Sequence, residues 1–150
     1  MAESRAKRLR AVLLLAQREE DAAAGQMGKA RDLVAEEQQQ LVQLREYRQE
    51  YVWEYQQQRS GVRPEVLMSY SGFIQRLSQA VTGQEHKLAQ LEGQLEECQA
   101  VWQEKHHRRK TLADLIARLQ RDEDAALEHR LQRELDDLAA QTLSRRQRLT

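Results

Sequence analysis

One repeat constrains this chain more than anything else in it. Stepping alternately by four and three residues from Leu9 reaches Leu13, Ala16, Glu20, Ala23, Met27, Ala30, Val34, Glu37, Leu41, Leu44, Arg48, Tyr51 and Tyr55. Eleven of these fourteen are apolar or aromatic, a seam sustained for over six heptads. The same walk from Leu77 passes through Val81, Gln84, Leu88, Leu91, Leu95, Cys98, Trp102, Lys105, Arg109, Leu112, Ile116 and Leu119, and ten of those thirteen are apolar. Apolar residues at this spacing line one side of a helix, and long repeats of them pair helices into coiled coils. Composition points the same way. With 32% charged and 5% aromatic residues, the chain lacks the large side chains of a globular core, yet it is rich in good helix formers.

Between the two seams lies Arg59–Val66, "RSGVRPEV". Gly61 suits a left-handed helix end, and Pro64 suits the first turn of a new helix while disfavouring helical geometry at Arg63. A short break between two heptad segments predicts an antiparallel hairpin. The expected fold is all-α: an antiparallel two-helix coiled-coil hairpin whose longer second helix projects beyond the first. Residues 1–150 read as a single coiled-coil domain, with helix 1 about 4–59, a turn about 60–64 and helix 2 about 65–145. Gly25, Gly28, Gly72, Gly83 and Gly93 read as soft spots within long helices.

A hairpin closing near residues 62–63 pairs positions whose numbers sum to about 125. Leu9 then meets Ile116, Leu13 meets Leu112, Val34 meets Leu91, and Leu44 meets Val81. Glu20 falls opposite Lys105, Ala23 opposite Trp102, and Arg109 opposite Ala16. Large residues meet small ones and opposite charges meet, as a packed seam requires. Beyond about Arg121 helix 2 has no mate, yet Leu127, Leu131, Leu135 and Leu138 keep to one side. That overhang would project about 40 Å at 1.5 Å per residue. An unpaired apolar stripe is either frayed or waits for a partner.

Chemistry is sparse. Glu104-x-x-His107 is half of a carboxylate-bridged di-iron signature, but no second such pair exists and Lys105, Arg108 and Arg109 would repel a cation. It reads as a solvated basic face. No Ser-His-Asp set or glycine-rich phosphate loop stands out, so no enzyme, cofactor or metal site is expected. The net charge of +0 argues against a nucleic-acid binder. Cys98 has no internal partner, which fits a reducing compartment, and "AVLLLA" is shorter than a signal or membrane segment. A soluble, cytoplasmic chain that is monomeric when free is expected. The basic residues Arg5, Lys7, Arg8 and Arg10 would lie beside residues 115–120, at the root of the overhang, as a collar suited to an acidic partner surface. Lys105–Lys110, also basic, reads as coiled-coil flank charge serving solubility and interhelical pairing.

"LREYRQEYVWEY", Leu44–Tyr55, holds four of the chain's seven aromatic residues. Tyr47, Tyr51 and Tyr55 are spaced by four and share one helical face, while Trp53 is turned away. These rings could simply fill the wider end of a hairpin. The pairing rule, however, sets Phe73 and Leu77 opposite Tyr51 and Tyr47, Ala80 opposite Leu44, and Gln84 opposite Gln40. One edge would carry an apolar ribbon from both helices, and exposed aromatics on a rigid surface are typical partner anchors.

Several blocks together resemble the FliJ family, the small coiled-coil component of the bacterial flagellar type III export apparatus. They are "LLAQREEDAAAGQMGKA" (Leu14–Ala30), "LREYRQEY" (Leu44–Tyr51), "YSGFIQRLSQAV" (Tyr70–Val81), "VWQEKHHRRKTL" (Val101–Leu112) and "RLQRELDDLAAQTLSRR" near the carboxyl end. The resemblance implies a stalk-like coiled coil, itself no enzyme, whose helical ends enter the hexameric export ATPase and promote assembly of that ring. The overhang, with Leu127, Leu131, Leu135 and Leu138, and the basic turn beside it, with Arg5, Lys7, Arg8 and Arg10, are the part expected to enter that ring. The implied contact with the membrane-embedded export gate falls on Gln40, Leu44, Tyr47, Tyr51, Phe73, Leu77, Ala80 and Gln84. Position 84 is histidine in some members, and Asp136-Asp137 stands where Asp-Glu is common. The resemblance also implies escort of other export chaperones and a place at the cytoplasmic face of the inner membrane at the flagellar base. The alternatives are the equivalent stalk of a virulence-type secretion system and a structural coiled-coil spacer.

Overall fold

The structure, a computed structural model, describes residues 4–58 and 61–149. It holds two helices, α1 (Arg5–Gln57) and α2 (Pro64–Leu149), and no strand among the described residues. The fold is the all-α hairpin expected from the two seams. Ser4 caps α1: its Oγ accepts a hydrogen bond from the backbone N–H of Lys7 at 3.2 Å, satisfying one of the orphan donors of the first turn. At the other end Gly61 has a φ of 88°, a conformation that side chains with a Cβ rarely adopt. Pro64 opens α2, and the Arg63 carbonyl accepts the backbone N–H groups of Val66 and Leu67. Arg59, expected at the end of helix 1, and Ser60, expected in the turn, lie outside the described residues. α2 runs on to Leu149, past the expected end near 145.

The chain divides into two compact units, each built from a piece of both helices. Unit 1 comprises Met1–Glu20 and Lys105–Thr150, and unit 2 comprises Asp21–Glu104. In unit 2 the seam buries Ala23, Val34, Leu41, Leu77 and Val81, with Val81 the most enclosed at 2% exposure. Unit 1 buries Ala6, Ala16 and Ile116. Every position on the two seam walks is buried or half-buried, polar members included. Ala6, one heptad step before Leu9, extends the seam by a turn.

The register is as expected within each unit. Glu19 with Lys105, Glu37 with Lys87, and Tyr51 with Phe73 all sum to within one of 125. Two pairings nonetheless differ from the residue-opposite-residue rule. Glu20 bonds Arg109 Nε at 2.6 Å and His106 Nδ1 at 3.2 Å, whereas Lys105 reaches Glu19 at 3.4 Å. Gln84 bonds Glu37, through both its backbone carbonyl at 3.2 Å and its carboxylate, and not Gln40. For Glu20 the reason is side-chain direction. Helical side chains lean toward their own helix's amino end. In an antiparallel pair, Glu20 therefore leans toward the level of Arg109 while Arg109 leans toward the level of Glu20. Arg10 with Gln120 and Arg45 with Glu85 show the same offset.

Both seam carboxylates are held below the ordinary 4.5, Glu20 chiefly by its hydrogen bond from Arg109 and Glu37 chiefly by that from Gln84. A lowered folded pKa means the stabilisation is fully present above the ordinary value and is lost as pH falls through the lowered one. Thermal melts are thus expected to hold down to about pH 5 and then decline. The double variant Glu20→Gln with Glu37→Gln should flatten that decline. An unchanged acid limb in the double variant would assign the effect to other carboxylates.

Candidate functional site

Two surfaces stand out, one in each unit, and neither is an enclosed cavity. In unit 2, Tyr47, Tyr51, Tyr70 and Phe73 form an aromatic cluster across the two helices. The Tyr51 and Phe73 ring centroids are 4.6 Å apart, those of Tyr47 and Tyr51 5.0 Å, and those of Tyr51 and Tyr70 6.0 Å. Tilted and edge-on contacts at such distances add to the packing beyond area alone. Tyr51 is the hub. Its hydroxyl hydrogen-bonds that of Tyr47 at 3.4 Å, and this neighbour pushes the Tyr51 phenol above its ordinary range. The Arg76 guanidinium sits 5.8 Å from the centre of the Phe73 ring.

The eight expected gate-contact residues all fall in unit 2, but they differ in exposure. Gln40, Tyr47 and Ala80 are exposed, and Tyr47 keeps 45% of its surface open. Leu44, Tyr51 and Phe73 are half-buried. Leu77, at 8%, belongs to the core and props the ribbon from beneath, and Gln84 is tied to Glu37. Gln40, Gln43, Leu44 and Tyr47 line a shallow groove along this edge. Tyr70 and Arg76 were not anticipated as members. Their spacing of three on either side of Phe73 was the available signal. Trp53 points away, 61% exposed, in a second shallow depression with Glu46, Gln49, Glu50 and Glu54.

In unit 1, α2 continues past Arg121 with no segment of α1 beside it among the described residues. From Asp122 to Leu149 every residue is exposed except Glu123, which is half-covered. Leu127, Leu131, Leu135 and Leu138 stand 50–61% exposed. Leu149, at 87%, falls on the same face by helical phase, and Leu143 does not. The stripe is not the seam running on. Continuing the seam from Ile116 and Leu119 leads to Glu123, Ala126, Arg130, Arg133 and Asp137. Leu127, Leu131 and Leu138 lie one residue past these positions and Leu135 two past Arg133, a rotation of about 100° or more around α2. A helix extending in line with α1 would leave them uncovered.

Arg5, Lys7, Arg8 and Arg10 are exposed, and Arg10 donates to Gln120 Oε1 at 2.9 Å, which places this basic turn at the root of the overhang. The run Lys105–Lys110 is partly engaged within unit 1. Lys105 and Arg108 approach Glu19, and His106 and Arg109 bond Glu20. Glu104 and His107 are exposed, and no group of three metal-ligating side chains comes together among the described residues. No helix among the described residues is long and apolar enough to cross a membrane.

A family model described as "Flagellar FliJ protein" matches residues 5–148. No curated protein and no solved structure matches this chain.

Proposed function

The chain belongs to the FliJ family of flagellar export-apparatus proteins, and from that premise we propose that it is the non-catalytic stalk of the export ATPase. In this reading the overhang of α2 and the basic turn beside it enter the hexameric ATPase and promote assembly of its ring. The aromatic edge of unit 2 binds the cytoplasmic part of the export gate. An asymmetric helical pair inside a six-fold ring touches the subunits unequally, biases their conformations and so couples hydrolysis to the gate. The chain hydrolyses nothing itself. It works at the cytoplasmic face of the inner membrane, and escort of other export chaperones belongs to the same reading, although no residue localises that activity.

The observation that carries this reading is the exposed leucine stripe at the root of which the basic turn sits. Titrating the full chain into the flagellar export ATPase, with the oligomers imaged alongside, tests it. Hexamers should accumulate and turnover should rise together. A flat titration would remove the ATPase role.

The gate contact has its own test. Tyr47 is an exposed ring on a surface held rigid by Tyr51 and Phe73, so truncating it removes a partner anchor without opening the core. Tyr47→Ala is expected to weaken binding to the gate's cytoplasmic part about tenfold or more. Its melting temperature should fall by only about a few degrees, because the ring contacts to Tyr51 and Phe73 are lost while the core stays closed. Equal affinities in a titration would exclude this edge as the gate contact.

A further inference from the structure

We propose that the overhang of α2 pairs antiparallel with the overhang of a second copy of this chain. The segment is polar in charge along its length. Asp122, Glu123, Asp124 and Glu128 crowd its root, and Arg145, Arg146 and Arg148 crowd its tip. A parallel pair would set acid on acid and base on base, whereas an antiparallel pair sets each root against the other's tip.

The leucines choose a register. When facing residue numbers sum to 269, Leu131 of each copy meets Leu138 of the other, and the two Leu135 side chains sit beside the two-fold axis. The same register sets Asp124 against Arg145 on the leucine face and brings Glu123 level with Arg146. From Asp122 to Gln147 no residue faces one of its own sign. The single like-charge meeting, Arg121 with Arg148, falls at the end of the contact. The rotation of the stripe away from the seam matters here, because it leaves the leucines accessible to a helix that does not collide with α1.

Two helices in contact over about 40 Å bury roughly the 1,200 Å² at which stable interfaces begin. Four leucines per chain are far fewer than the seam residues within one copy, so the dimer forms only as concentration rises. This replaces the expected monomer with a monomer–dimer equilibrium. It covers the same leucines that the ring-binding reading uses, so the two occupancies exclude each other. The pairing does not rest on that reading, and its test contains no ATPase.

Sedimentation velocity on the full chain at low salt decides the matter. One variant carries Asp122→Lys, Glu123→Lys and Asp124→Lys, and the other carries Arg145→Glu, Arg146→Glu and Arg148→Glu. The parent is expected to approach twice the monomer mass as concentration rises, and less so in high salt, where the ion pairs are screened. Each variant alone should stay monomeric, and their equimolar mixture should recover the dimer. Orientation is read on a Cys98→Ser background under mild oxidation. Leu127→Cys with Thr142→Cys should give a covalent dimer, and Thr142→Cys alone should not. A parent that stays monomeric, variants that self-associate like the parent, or cross-linking by Thr142→Cys alone would each overturn the proposal.

Discussion

A chain ending at Arg121 is expected to leave the export ATPase at its unstimulated turnover and without added hexamers, while folding as well as the full chain. The overhang lends nothing to the seams: past Arg121 only Glu123 is even half-covered. Removing exposed helix away from packed features changes stability by about 0.5 kcal/mol or less. Leu127, Leu131, Leu135 and Leu138, in contrast, form an exposed apolar stripe with no segment of α1 beside it among the described residues, and in the proposed stalk they are what the ring grips. Removing a central apolar cluster from an interface commonly removes most of its affinity. Turnover and imaging at matched concentrations check the first half, and thermal unfolding by circular dichroism the second. A full-length Leu131→Asp, Leu138→Asp variant separates lost length from lost leucines and should behave like the truncation. If the truncated chain stimulates as well as the parent, the overhang is not the ring-binding end.

The second large effect is on stability. Val81→Asp is expected to cost about 4 kcal/mol, of which about 1.5 is lost apolar burial and the rest the burial of a carboxylate with no partner. Val81 is 2% exposed and lies where α2 packs on α1 in unit 2. The same change at Leu131, which is 50% exposed, should shift stability by no more than about 0.5 kcal/mol. Urea unfolding of the two variants gives the comparison directly. A Val81→Asp chain with the parent's midpoint would mean that this layer of the seam is not packed. The contrast also separates the two kinds of apolar residue in this protein, those that hold α1 to α2 and those left for a partner.

Periodicity along the chain carried a large part of this structure. Every residue on the two heptad walks turned out buried or half-buried, because a coiled coil is nearly one-dimensional. Its core positions are spaced by helix geometry and owe little to long-range topology. Gly61 and Pro64 were equally legible, since their preferences are properties of their own backbone. The overhang followed from comparing the lengths of two helices about one turn.

What the seams alone did not show was which side chain reaches which. Glu20 takes Arg109 and not Lys105, and Gln84 takes Glu37 and not Gln40. Facing positions are set by backbone phase; Glu20 and Arg109 lean toward each other's level and meet a turn away, whereas Gln84 and Glu37 meet with the opposite offset, which that lean does not produce. The aromatic edge shows the same limit. Its residues were found by spacing, yet only packing decided that Leu77 lies in the core, that Tyr51 is the hub, and that Tyr70 and Arg76 join it. Two long antiparallel helices, their register and the unmated stripe were legible along the chain, because heptad spacing marks the seams and the break at Gly61 and Pro64 sets their direction, their phase and the length left over. Which members of a shared face are covered and which remain open depended on packing between the helices. Exposure depends on the reach and volume of neighbours on the other helix, and no repeat along one helix encodes that.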